Sequence, residues 1–156
     1  MNLTDRVWQG FSLIKLFGNC QRGSRLKSSD RVSGTIPLVT AGFKNDGIAM
    51  CIDNPDMELF SHSLTIDMFG FSCYRDYEFH ADDNIIVFKN DLLNKYHYLF
   101  ISVLLNQSRF KYDFVRQYRQ NNYNNHIISL PIVDKDYPDW DFIEQYMRQV
   151  ECDLKV

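Results

Sequence analysis

Followed from its first residue, the chain alternates short apolar clusters with polar turns, then shifts to a helical period in its last third. Trp8, Phe11, Leu13, Ile14, Leu16 and Phe17 form the first apolar cluster. Its spacing passes from alternation to adjacent pairs, which predicts a strand followed by one helical turn. Residues 36–41 (IPLVTA) read as a buried strand, and Pro37 near its start suits an edge strand. Residues 48–52 read as a second strand, and Asn54-Pro55-Asp56 as a turn. The Phe-, Tyr-, Thr- and Ile-rich stretch 59–79 predicts two strands, about 63–68 and 71–74, turning at Phe69-Gly70. Residues 80–83 read as a turn, and 84–89 (NIIVFK) as a further strand.

The pattern then changes. Tyr96, Leu99, Phe100, Val103, Leu104 and Gln107 recur at helical spacing without Gly or Pro, predicting a helix over 94–110. Residues 127–133 (IISLPIV) read as the last strand. Pro138 precedes an amphipathic helix with Phe142, Tyr146, Val150 and Leu154 at four-residue steps. Strands first, then helix, strand and helix predict an α+β fold. Its sheet is mixed and mainly antiparallel, with one helix after the central strands and an amphipathic helix at the C-terminus. The 156 residues fit one domain, with a core over about 3–137 and the terminal helix over about 138–154. That length buries a core without disulfides or a structural metal.

Charge changes this picture more than composition does. The net charge is −3, yet residues 1–31 carry six Lys/Arg against two acids, and residues 91–126 carry five against two. The intervening and final segments are acidic. Two basic segments far apart in sequence can converge into one basic patch on an acidic protein, or stay apart as ordinary surface. Cys20, Cys51, Cys73 and Cys152 form no CxxC pair, and the four histidines are equally scattered, so no zinc site of the usual spacing is expected. The cysteines read as reduced and mostly buried, in a cytoplasmic protein. The N-terminus has no apolar signal core, and the longest apolar run (98–105) is too short to span a membrane.

Candidate chemistry follows from these segments. Residues 21–48 hold four of the seven glycines (Gly23, Gly34, Gly42, Gly47) and the cations Arg22, Arg25, Lys27 and Arg31. Glycine permits tight turns, and Arg and Lys meet phosphates. Thr40 and Asn45 stand in the second glycine-rich turn. In 111–125, Lys111, Arg116 and Arg119 suit phosphate or guanine, and Gln117, Gln120, Asn121 and Asn122 suit adenine edges. Tyr112, Tyr118 and Tyr123 there can donate to phosphates; Phe69 and Tyr74 are aromatic candidates from the strands. Either stretch also fits a solvated loop. Glu78, His80, Asp82, Asp83 and Lys89 offer a competing reading, a magnesium-dependent nuclease. Phe142, Tyr146 and Val150 offer a third, a helix for a partner or a second copy, unless they pack on the domain itself. No GxSxG, GxGxxG or GxxxxGK[ST] is present, so no cofactor is expected.

An ordered set of phrases runs through nearly the whole chain, about residues 3 to 148: LTDRVW, RGSRLKSSDR, GTIPLVTAG, NDGI, TIDMFG, DNIIVFK, LP and PDWDFIEQY. The set resembles a target recognition domain of type I restriction–modification specificity subunits and of their relatives in BcgI-like, type IIG systems. The resemblance implies a non-catalytic domain that reads half of a bipartite sequence in double-stranded DNA. It also implies docking on a methyltransferase subunit, with an endonuclease subunit and a homodimer as further partners. Family members usually carry two such domains separated by long paired helices. Here one domain stands with a terminal helix of about 17 residues, roughly 25 Å long. That fits a half-subunit that dimerises or one domain of a longer chain. Base-reading residues vary within the family, so the DNA-facing residues expected are chosen by polarity and loop position: Arg22, Arg25, Lys27, Thr40, Asn45, Phe69, Tyr74, Lys111, Tyr112, Arg116, Gln117, Arg119, Asn121 and Asn122.

Overall fold

A computed structural model describes residues 1–155. In chain order the elements are β1 (Trp8–Ser12), α1 (Leu13–Phe17), β2 (Gln21–Arg22), β3 (Ser33–Val39), β4 (Ile48–Ile52), β5 (Phe60–Asp67), β6 (Ser72–Ala81) and β7 (Ile85–Phe88). There follow α2 (Lys95–Asn106), α3 (Gln120–Asn124), β8 (Ile127–Asp134), β9 (Tyr137–Pro138) and α4 (Trp140–Leu154). The fold class is α+β, as the pattern predicts. The strands form two sheets rather than one: a six-stranded sheet ordered β2-β7-β5-β6-β3-β4 and a three-stranded sheet ordered β1-β8-β9. All pairings are antiparallel except β3 with β6.

The large sheet is buried on both faces, because each face has its own apolar cluster. Leu64, Ile66, Ile86 and Phe88 face Phe11, Leu13 and Phe17 from the N-terminal segment and Tyr98, Phe100, Ile101 and Leu105 from α2. Ile128 and Leu130 of β8, with Phe142 and Ile143 of α4, complete this main core. On the other face the sheet closes around Val39, Phe60, Phe79, Ala81, Ile85 and Val87. A register shift between Ser61 and Ser63, with His62 at φ 46°, breaks the β5–β6 pairing there.

Three boundaries differ from the sequence pattern. Strand β6 runs on through His80 and Ala81, where a turn was expected, because both are buried and pair with Leu38 and Val39 of β3. Strand β3 is internal, not an edge; Pro37 is tolerated because pairing with β6 begins only at Leu38. Helix α2 ends at Asn106, whose side-chain amide binds both the N–H (2.7 Å) and the C=O (2.9 Å) of Ser72, pinning the helix end to the start of β6. Of the cysteines, Cys51 and Cys152 are exposed, contrary to the expectation of burial, and all four are free.

Helix α4 packs on its own domain. Phe142 is buried, and Tyr146 meets Phe100 edge-on at 6.3 Å, so neither is a free docking side chain; Val150 borders an apolar groove with Trp8 and Val103. Lys95 of α2 binds Glu151 at 2.9 Å, and Lys95 and the Tyr96 hydroxyl hold the Glu151 carboxyl down to about 2. Where the two helices start, His97 donates from Nε2 to the Trp140 carbonyl and accepts at Nδ1 from the Asn94 N–H. That arrangement requires neutral imidazole, and burial pushes His97 below its ordinary value near 6.5.

The unfolded chain therefore binds more protons than the folded one between that ordinary value and the lowered one, so stability rises with pH through this window. Asp67 and Asp82, whose carboxyls burial pushes up, oppose the trend at more acidic pH. In urea unfolding at pH 7 and pH 5, His97→Gln is expected to lose less stability on acidification than the unsubstituted protein. An equal loss in both would show that His97 does not drive it.

Candidate nucleic-acid interface

Four connections meet at one end of the large sheet: 40–47 after β3, 68–71 after β5, 82–84 after β6, and 107–119 after α2. Two buried charged side chains hold the first two of them. Asp67, the last residue of β5, accepts from the N–H groups of Gly42 (2.9 Å), Phe69 (2.9 Å) and Phe71 (3.0 Å). One carboxylate thus fastens its own turn and the loop after β3. Burial pushes this carboxyl up; the three N–H donors and Arg75 pull it down. Arg75 is 2% exposed and donates to Thr65 Oγ1 (3.0 Å), the Tyr77 hydroxyl (2.9 Å) and the Asp46 carbonyl (2.7 Å). The last contact holds the tip of loop 40–47, where Asn45 and Asp46 sit at φ 52° and 53°. Asn and Asp adopt this left-handed region more readily than other side-chain-bearing residues.

The turn after β5 abuts the segment after α2. Gly70 has φ 76°, and a Cβ there would lie 2.5 Å from Tyr112 and 3.2 Å from the Arg109 backbone. The Tyr118 N–H donates to the Met68 carbonyl at 2.8 Å. Gly70→Ala is therefore expected to cost on the order of 2 kcal/mol, from left-handed strain plus displacement of Tyr112. Urea unfolding measures the loss, and a neutral result would show that segment 107–119 is free to shift.

Aromatic rings and cations cover this end. Phe69 lies 6.2 Å from Phe43 and 5.0 Å, edge-on, from Phe114; Phe43 meets Phe71 edge-on at 5.3 Å. The Arg109 guanidinium sits 5.1 Å from the centre of the Phe43 ring. Lys44, Lys111 and Arg116 are exposed around them. Backbone N–H groups of Val115 (2.8 Å) and Arg116 (2.7 Å) donate to Asp113 Oδ1, and the Asp113 N–H donates back to the Arg116 carbonyl (2.9 Å). These bonds close a tight turn and hold the Asp113 carboxyl below its ordinary range.

Most of the residues singled out from the sequence meet here, in different roles. Asn45 is exposed at its loop tip, and Phe69 stands in the turn. The Thr40 N–H (2.8 Å) and hydroxyl (3.4 Å) both donate to the Gly47 carbonyl and close the loop base. Lys111 and Arg116 are exposed, and Tyr112 lies edge-on to Tyr118 at 5.0 Å. Arg119 reaches Asn84 (3.2 Å) and Gln117, so its fork is engaged. Asn122 accepts the Arg119 N–H at 2.8 Å, a capping role, and Asn121 accepts from Asn125. Arg22 is committed to Asp83 through its carbonyl (2.6 Å) and carboxylate (3.6 Å). Arg25 and Lys27 are exposed just beyond Ser24, whose N–H binds the Ala81 carbonyl.

Others are not brought there. Tyr74 stacks on Tyr98 with centroids 4.9 Å apart and belongs to the α2 side of the sheet. Tyr118 and Tyr123 are buried in the main core, so they offer no hydroxyl to a phosphate. The nuclease candidates disperse. His80 is buried against the Glu58 carbonyl, Asp82 caps Asn84, Asp83 pairs with Arg22 and Lys89 with Asp91. Among the described residues no group of three His, Cys, Asp or Glu is placed to hold a metal.

The sequence pattern does not reveal Phe43, Phe110 and Phe114 as surface residues, because an aromatic in a strand-rich chain reads as core, and nothing local sets Lys44 and Arg109 apart from other cations. It also passed over Asp67 and Arg75 as anchors. The available signal was an Asp two residues before a Phe-Gly turn, a position where Asp commonly binds its own backbone.

The model of the type I restriction modification DNA specificity domain matches residues 7–155. The chain belongs to this family. It is 28% identical over 155 residues to the type II restriction enzyme BgcI specificity subunit S.BcgI of Heyndrickxia coagulans, covering 96% of this chain and 45% of the relative. The type I restriction–modification S subunit from M. genitalium superposes with a TM-score of 0.60 at 18% identity, over 98% of this chain and 43% of that one. The HsdS subunit from Thermoanaerobacter tengcongensis superposes at 0.60 and 13% identity, over 95% and 38%. The specificity-domain fold thus extends over essentially the whole chain, which spans less than half the length of these relatives.

Proposed function

We propose that this chain is a target recognition domain that binds double-stranded DNA through the loop end of its large sheet. In this reading it forms half of a restriction–modification specificity subunit and directs a partner methyltransferase to its site. The observation that carries the proposal is the gathering of Lys44, Arg109, Lys111 and Arg116 around one aromatic loop end on a chain of net charge −3. Cations meet phosphates and fix orientation, and side chains on anchored loops read base edges. The domain performs no chemistry and needs no cofactor of its own; methyl transfer and cleavage belong to partner subunits. The two segments that look basic in sequence contribute unequally, since Arg22 and Arg119 are already engaged within the domain.

The test has two parts. Fluorescence anisotropy with duplex DNA at low salt should show binding whose affinity falls steeply with added salt, as counterion release requires. Co-expression with a methyltransferase subunit of a type I or BcgI-like system, followed by mapping of methylated sites, should yield one defined sequence class. Failure to bind duplex DNA with the partner present, together with no methylated site, overturns the reading.

A further inference from the structure

The turn clamped by Asp113 presents an unusual tip. Phe114 is 75% and Val115 96% exposed, and nearby Phe110 is 81% exposed. Single exposed apolar residues are common and need no account. Here several lie together, and the backbone beneath them is fixed by three hydrogen bonds to and from Asp113. Phe114 is backed by Phe69 edge-on, and Phe69 by Phe43, so the ring stands on a row of aromatics. Arg116 follows the tip directly, Lys111 precedes it by three positions, and the only acid of the turn, Asp113, is engaged by its own backbone.

We propose that Phe114 and Val115 form an apolar tip that enters the major groove and reads a thymine through its C5 methyl group, while Lys111 and Arg116 hold the flanking phosphates. The proposal rests on the DNA-binding reading above and names what one of its loops recognises. The occupant is argued from charge complementarity. A fixed apolar dipeptide between cations suits a methyl-bearing base edge between two phosphate strands. A protein surface of comparable apolar character would leave the cations desolvated without partners. Thymine is the base that offers an apolar group in the major groove, and Phe is among the side chains that meet it.

The turn also explains why the tip can discriminate. A side chain on a mobile loop slides away from a missing methyl. One held by Asp113 and backed by Phe69 leaves the gap unfilled. Losing one buried methyl then weakens binding about fourfold, the ratio expected from its transfer free energy.

The test uses the full chain and a duplex library with a randomised core, selecting bound sequences for the unsubstituted protein, for Phe114→Ser/Val115→Ser and for Arg116→Ala. Both positions are exposed, so thermal unfolding of the tip variant should match that of the unsubstituted protein. The expected result is an A·T preference at one position, lost in the tip variant while the remaining positions stay the same. Arg116→Ala should instead lower retention of all sequences alike. In the selected duplex, uracil for that thymine should weaken the unsubstituted protein about fourfold and leave the tip variant unchanged. A tip variant that selects the same motif with the same affinity overturns this proposal and leaves the DNA-binding reading intact. If none of the proteins binds or enriches a sequence at low salt, with the methyltransferase subunit present, and no methylated site is found, both fall.

Discussion

Arg75→Ala is expected to lower stability by roughly 3–5 kcal/mol, the range for removing one side of a buried charged arrangement. The guanidinium has three acceptors, on Thr65, Tyr77 and the backbone of Asp46, and is almost fully enclosed. Alanine leaves those acceptors unpaired and a void beneath loop 40–47. It also takes away the positive charge that pulls the buried Asp67 carboxyl down, so that carboxyl rises further. The sign of the pH dependence follows. With its folded-state value raised, Asp67 is protonated in the folded form first, which relieves the buried charge as pH falls. The deficit of Arg75→Ala is therefore greatest near neutrality and shrinks on acidification through the Asp67 titration. Urea unfolding at neutral and acidic pH measures this, with Arg75→Lys as a partial rescue of charge without the fork. A loss below about 1 kcal/mol, the size of one ordinary hydrogen bond, would show that loop 40–47 holds itself.

The second large effect concerns DNA. Replacing Lys44, Lys111 and Arg116 together by Ala should reduce the slope of log affinity against log salt by about 2.7, near 0.9 per phosphate contact. At about 0.1 M salt the same arithmetic weakens binding roughly 500-fold. All three are exposed and none has an ion-pair partner among the described residues, so folding stability should change little. Lys155→Ala, just past the end of α4 and paired with Glu151, serves as the control and should leave the slope unchanged. A triple variant with an unaltered slope would move the DNA-binding face away from this end of the sheet.

These two variants act on different levels of one design. Asp67 and Arg75 are buried and fix the loops they hold from within the domain, and in the proposed reading those loops are set before DNA binds. The exposed cations and aromatics are then free of structural duties. Residues such as Arg22, Arg119 and Asn122, which read in sequence as ligands for DNA, spend their polar groups within the domain. The same polarity that suits a phosphate or a base edge suits a backbone carbonyl or a helix end, and only the neighbours decide between them.

Local pattern alone determined much of this protein. Residues 48–52 carry their strand because β-branched and apolar positions between turn residues have few alternatives. The capped, uninterrupted period of 95–106 similarly leaves little but a helix. The α+β order followed, and the spread of phrases from LTDRVW to PDWDFIEQY carried the family resemblance. Tertiary structure alone decided which polar residues remain available. Tyr74, Tyr118 and Tyr123 are buried or stacked because the sheet needs both faces covered, a demand no single segment reveals. Phe43 and Phe114 are exposed because Asp67, Arg75 and Asp113 hold their backbones in turns that the core does not reach. Burial depends on what lies across the sheet, often dozens of residues away, and periodicity reports only on near neighbours.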